Sequence, residues 1–217
     1  MNFMSIEVAV QNFLFRPSNT GFNPSDIDGF FASQGRAPTN VPFSHNHLHD
    51  LESLWWVAVW MVFYNKFSGG TSSCAGPFTL QDVQAQLTLA GNLFPPILNS
   101  ATRRDGFQLS DSFQKACDKL PDNKTAICRG LDFLRRLLIS HYNIIEANWP
   151  VSVDPNSSND DIYDNFIRLF SKLKDASHDV NLDYIPDIHA KLLKEEKKRT
   201  RSDSATATVV GRKAPRK

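Results

Sequence analysis

The chain has 217 residues, 41% of them apolar and 11% aromatic, including 16 Phe and 4 Trp, so one domain with a sizeable core plus a tail is expected. A formal net charge of +1 conceals an asymmetry: residues 194–217 carry nine Lys/Arg against three Asp/Glu (+6), and residues 1–193 carry fifteen against twenty (−5). Three cysteines, Cys74, Cys117 and Cys128, are an odd number without metal-like spacing, which argues against a disulfide framework and for a reduced intracellular chain, cytoplasmic or nuclear. The N-terminus has no basic segment leading into an apolar run, so no secretory signal peptide is expected.

Ser5-Ile6-Glu7-Val8 reads as a helix start within a mixed apolar segment, residues 1–15. Residues 16–47 are rich in Pro, Ser, Asn and Gly and read as a long loop. A central helix then runs from about Asp50 to Lys66. It opens with an acidic turn, Asp50-Leu51-Glu52, and continues through eleven apolar or aromatic residues, Leu54 to Tyr64. A helix apolar all round is expected to be buried on every side. The run is too short to cross a bilayer, which takes roughly 20 such residues. An Asp at its N-terminus would sit where the dipole and free N–H groups favour negative charge.

Gly69-Gly70 and Gly76-Pro77 break the chain after it. Thr79 is a candidate N-cap for a helix to about Leu93, closed by Pro95-Pro96. Residues 97–122 are mixed, with a short helical piece near Leu109–Leu120. Thr125 to about Trp149 reads as a long helix with Ile127, Leu131, Leu134, Leu138, Tyr142 and Ile145 on one stripe. Pro150 and the loop Asp154-Pro155-Asn156-Ser157-Ser158 end it. Further helices span roughly Asp160–Ala176 and from Pro186 into the basic tail. No alternating strand pattern stands out, so the chain reads as mainly α.

Phe3-Met4-Ser5-Ile6-Glu7, a loop of about forty residues, and then His49-Asp50-Leu51-Glu52-Ser53-Leu54-Trp55-Trp56-Val57 together resemble the fungal-type protein kinases of basidiomycetes. The Asp-Leu-Glu-Ser segment is also similar to the casein kinase group. The resemblance implies a kinase-like C-terminal lobe over residues 1–193, followed by a disordered basic tail over 194–217. It implies that Ser5-Ile6-Glu7 corresponds to the Ala-Pro-Glu motif ending the activation segment. Glu7 would then pair with an arginine toward the far end of the domain, with Arg129, Arg135 and Arg136 as candidates. Asp50 would be the aspartate opening the central helix, accepting from the backbone of the catalytic loop.

A kinase also needs a Gly-rich loop, a strand lysine, a catalytic Asp with its Asn, and a metal-binding Asp. All precede the Ala-Pro-Glu motif in the family, and this chain begins inside that motif. Arg104-Asp105-Gly106-Phe107 carries similar letters in the wrong order and reads as a turn. The expectation is therefore a truncated fragment, inactive alone, with no catalytic residues and no metal ligands; ATP and Mg²⁺ are expected only for an intact family member. The alternative is a non-catalytic, pseudokinase-like helical binding module.

The remaining candidates read as structure. His45, His47 and His49 alternate with other residues and would face one way only in an extended segment, so they read as a polar approach to the helix. Asp50 and Glu52 stand two apart, face different directions on a helix and read as capping groups. Cys117, Cys128 and His141 lack a third group to orient a nucleophile, and read as core thiols and a bystander. Trp55, Trp56, Trp60, Phe63 and Tyr64 read as core. Asn123-Lys124-Thr125 matches a glycosylation acceptor by chance. The clusters Lys197–Arg201 and Arg212–Lys217 read either as a weak contact for nucleic acid or an acidic surface, or as a solvated end. A protein partner covering a bared side of the central helix is also expected.

Overall fold

The computed structural model describes residues 3–15, 43–68, 78–97, 100–147, 160–176 and 180–210. Most of the expected 16–47 loop, the Gly69-Gly70 and Gly76-Pro77 breaks, Cys74, Trp149, the 154–158 loop and the Arg212–Lys217 cluster lie outside the described residues. The fold is mainly α-helical.

Ser5 caps the short helix α1 (Ile6–Val10), its Oγ accepting from the Val8 N–H at 3.3 Å. Gln11 ends it in the left-handed region at φ 54°. The central helix α2 spans His47–Tyr64 and begins a turn earlier than its charge pattern suggests. The reason is a capping box in which His49 stands where Glu or Gln is usual. Asn46 Oδ1 accepts from the Leu48 N–H, and His49 Nδ1 accepts from the Asn46 N–H. Asp50 is thus the fourth residue of the helix rather than its opening one.

The far end of α2 is closed by three side chains. Asn65 Nδ2 donates to the Met61 carbonyl, Gln86 Nε2 to that of Phe63, and Lys124 Nζ to those of Val62 and Asn65 at 2.7 and 2.6 Å. These fill acceptors that a helix leaves open at its C-terminus. Lys124 is buried, and its ammonium also lies 5.0 Å from the centre of the Phe67 ring.

Strand β1 (Asn65–Ser68) follows α2 without a break and pairs antiparallel with β2 (Asn181–Tyr184), Asn65 opposite Tyr184 and Ser68 opposite Asn181. This two-stranded sheet departs from the strand-free expectation. Four residues are too few to display a period, and the partner lies more than a hundred positions away. Helix α3 (Leu80–Leu93) carries the expected cap at Thr79, which exchanges hydrogen bonds with Asp82.

Helix α4 (Ala101–Gln108) and α5 (Ser110–Cys117) occupy the segment that offered one short piece. Arg104–Phe107 lies inside α4 and is helical, not a turn. Ser100 caps α4 through the Arg103 N–H, and Arg103 and Phe107, one turn apart, bury its inner face. A 3₁₀ turn (Asp122–Lys124) leads into the long α6 (Thr125–Ala147), which is followed by α7 (Asp160–Ala176).

Helix α8 (Ile185–Val210) leaves β2 directly and packs against α3. The backbone is helical to Val210, within the segment expected as a basic tail. Lys194 to Arg199 are strong helix formers, and Glu195 and Arg199 stand at i,i+4.

The core forms where α2 meets α6, α4 and α5. Trp55, Trp56 and Phe63 are fully buried, and Trp55 Nε1 donates to the Leu131 carbonyl of α6 at 2.8 Å. Phe107 and Phe113 stand edgewise or tilted against Trp55, with ring centres 5.3 and 5.2 Å away. Burial is one-sided, however. Leu54 is 54% and Met61 41% exposed, so α2 is not enclosed all round as its composition suggests.

Lys124 yields a test. Burial lowers its pKa to about 7 from the usual 10.5. Between those values the unfolded chain binds a proton that the folded chain refuses, so this contribution to stability rises with pH. Lys124→Met should lose about 1–3 kcal/mol of unfolding free energy. It should also flatten the rise in stability from about pH 7 to pH 10 in chemical denaturation; an unchanged profile would contradict the capping role.

Candidate functional site

Three segments far apart in sequence converge on one buried cluster: Glu7 of α1, His49 and Glu52 of α2, and Tyr142 and Glu146 of α6. All five are buried. Glu52 is the common point. Its Oε1 accepts from the Ile6 N–H at 2.9 Å and from Trp56 Nε1 at 3.0 Å, and its Oε2 accepts from the Tyr142 hydroxyl at 2.9 Å. Burial pushes the Glu52 carboxyl up, while these donors and the positive charge of Arg103 pull it back.

Glu7 Oε1 accepts from the Leu14 N–H at 2.6 Å, and Oε2 lies 3.0 Å from His49 Nε2. Since His49 Nδ1 already accepts from the Asn46 N–H, Nε2 carries the hydrogen and donates to Glu7. Burial drives the His49 pKa down to about 4, with the His45 charge adding to it, so the ring is neutral near pH 7. Burial raises the Glu7 carboxyl, while the neighbouring Glu146 and the Leu14 N–H pull it back. Glu146 Oε2 in turn accepts from the Phe15 N–H at 2.8 Å. Burial, joined by the surrounding glutamates, pushes the Tyr142 phenol far up.

The expected arginine partners of Glu7 are placed elsewhere. Arg135 is held by Asp132 on its own helix at 2.8 Å and donates to the Phe107 carbonyl, Arg136 also pairs with Asp132, and Arg129 is exposed. Asp132 captures both guanidiniums at i,i+3 and i,i+4, and His49 takes the position beside Glu7. The arginine whose charge acts on Glu52 is Arg103. It is buried, lies 4.2 Å over the Trp56 ring, donates to the Met4 carbonyl and has its pKa lowered by burial to about 10. No motif marks Arg103, Tyr142 or Glu146 in the sequence; their only signal is a polar group at a core-facing helical position.

Asp50 points outward, its side chain 77% exposed and 3.4 Å from His45. Ser5 and Ile6 are buried beneath the cluster. Asp50 and Glu52 do face different ways, but Glu52 is a buried acceptor rather than a cap. Cys117 and Cys128 share a hydrogen bond: this contact, followed by burial, raises the Cys117 thiol, whereas the Cys117 donor and then the Lys124 charge favour the Cys128 thiolate. His141 stands thirteen residues beyond Cys128 on α6, about 20 Å along the axis, so the two form no nucleophile–base pair. Among the described residues, no group of three or more His, Cys, Asp or Glu could hold a metal ion.

Two surface grooves flank Leu54. One, of about 480 Å³, runs between α2 and α7 past Leu51, Tyr163, Phe166, Ile167 and Phe170. The other, of about 680 Å³, passes Phe3, Met4, Val8, Asp50 and Val57. Neither is lined by Glu7, Glu52, Tyr142 or Glu146. The glutamate cluster ties the N-terminal segment to α2 and α6. No described helix is long and apolar enough to cross a membrane. No family model, curated protein or solved structure matches the chain.

Glu52→Ala would strand three buried donors, and each costs about 1–3 kcal/mol when left unmade. A loss of at least about 3 kcal/mol in denaturant unfolding is expected. Glu52→Gln should cost less, because the Tyr142 hydroxyl can turn to accept from the new amide. For His49, with a folded pKa below the usual 6.5, the stabilising contribution is present above pH 6.5 and lost as pH falls toward 4. The stability gap between wild type and His49→Gln should thus narrow across that window. Glu7 and Glu52, whose folded pKa values are raised, act in the opposite sense: their contribution is lost as pH rises above 4.5.

Proposed function

We propose that this chain is the helical C-terminal-lobe part of a fungal-type serine/threonine protein kinase domain, a substrate-side scaffold that performs no phosphoryl transfer by itself. The observation that carries the reading is the union of its two motifs. Ser5-Ile6-Glu7 and the His49–Glu52 turn are about forty residues apart, yet Ile6 donates to Glu52 and His49 to Glu7. The resemblance places these two motifs at the end of an activation segment and at the start of a central helix, and here they meet directly.

Asp50, on the open side of α2, can accept from the backbone of a segment laid across it, the role the resemblance gives it. ATP and Mg²⁺ would belong to the intact family member. The phosphate loop, strand lysine, catalytic Asp and metal-binding Asp that would hold them have no counterparts in this sequence. This chain would supply the floor beneath them.

A second reading, a non-catalytic helical binding module, draws on the open face of α2. Asp50, Leu54, Val57 and Met61 lie along that face, with apolar grooves on both sides of Leu54. Such a surface favours a covering partner or self-association. The mass of the endogenous protein separates the readings. A species well above 24.5 kDa, with the catalytic loop and metal motif encoded in frame upstream, supports the kinase part; an endogenous chain of this mass supports the module.

Two outcomes are expected of the isolated chain. ATP with Mg²⁺ should leave its melting temperature unchanged, and a saturable upward shift would contradict the proposed lack of nucleotide-binding elements. In sedimentation the chain should associate with rising concentration, and Leu54→Glu with Met61→Lys should reduce this without lowering the melting temperature. A wild-type monomer at all concentrations would contradict the bared face.

A further inference from the structure

We infer that the outward face of α8 is a docking strip for the phosphate backbone of a nucleic acid, engaged without regard to base sequence. The inference is independent of the kinase reading.

At 100° per residue, Lys191, Lys194, Lys197 and Lys198 fall within an arc of about 120°. Ile185, Ile188 and Leu192 occupy the opposite side, where Ile185 is fully buried and the other two are half-buried. Helix α8 is held by its packing on α3 and by its direct continuation from β2. The four lysines are all exposed, and Glu195 and Glu196 lie outside their arc. Asp187 shares the arc one turn before Lys191. From Lys191 to Lys198 the strip rises about 10 Å, enough to meet several phosphates in sequence.

The chemistry selects nucleic acid over a lipid surface. A helix lying on a membrane needs a bulky apolar face beside its basic one. Here the apolar residues are turned toward the protein, and residues 194–199 include none. Lysines are point charges suited to phosphate oxygens, whereas base reading rests on side chains placed in a groove. Since residues 1–193 carry a formal charge of −5, attraction to a polyanion falls to this helix and the basic residues after it.

The test uses the full chain and fluorescence anisotropy with a labelled duplex of about 20 base pairs and a single-stranded RNA of similar length. Binding in the micromolar range at about 50 mM salt is expected, much the same for unrelated sequences. With three to four phosphates engaged, affinity should fall about 40- to 150-fold by 200 mM salt. Replacing the four lysines by Gln should weaken binding at least tenfold while circular dichroism and melting temperature stay at wild-type values; Lys172→Gln on α7 should bind as wild type. Absence of saturable binding at low salt would overturn the proposal. So would equal affinity of the four-lysine variant, or binding to phosphatidylserine vesicles in place of nucleic acid.

Discussion

A single buried carboxylate organises this structure. Glu52 receives the backbone N–H of Ile6, the indole N–H of its own helix neighbour Trp56 and the hydroxyl of Tyr142. These three donors come from the N-terminal segment, α2 and α6, whose packing defines the core. A buried carboxylate is costly unless its oxygens are met. The arrangement is therefore self-selecting: shifting α1 or α6 by one hydrogen-bond length leaves a donor and an acceptor unmatched in a low-dielectric interior. Apolar packing supplies the bulk of the driving force, and Glu52 fixes which segments meet and in what register.

The polar cluster around it ties three segments together. Neutral His49 links the start of α2 to Glu7, and Glu146 of α6 holds the N-terminal segment through the Phe15 N–H. The same residues hold the Ile6, Leu14 and Phe15 N–H groups, so the N-terminal segment is fastened at three backbone points. Lys124 closes the other end of α2. The central helix is thus secured at both ends and along one side, and its remaining side, from Asp50 to Met61, faces outward.

Much of this was legible in the sequence where local chemistry decides structure. Thr79 and Ser5 announce helix starts through their own side chains, and the stripes of α6 and α7 follow from period-3.6 burial. Other elements were hidden because their causes are not local. Helix α4 holds only one large apolar residue, Phe107, and is buried through Arg103, an arginine that a hydropathy pattern assigns to solvent. The β1–β2 pair depends on a partner strand that sequence order does not reveal. The uniform apolar run in α2 could not tell its inner face from its outer one. Only the packing of α6 against Trp55 and of Tyr142 against Glu52 separates Trp55 and Trp56 from Leu54 and Met61.

The site was legible in part for the same reason. Ser5, Ile6, Glu7 and Asp50 stand out as a motif, but the partner of Glu7 is a histidine three residues into α2 rather than an arginine on α6. The spacing of Asp132 to Arg135 and Arg136 explains where those arginines go instead.

The most direct measurement of the central claim is native-state hydrogen exchange at the Ile6 amide and the Trp56 indole N–H, both bound to Glu52 Oε1. If the buried carboxylate fastens the N-terminal segment to α2, both protons exchange only through global unfolding, with the same free energy as the core of α6. Rapid local exchange at Ile6, with α6 still protected, would contradict it.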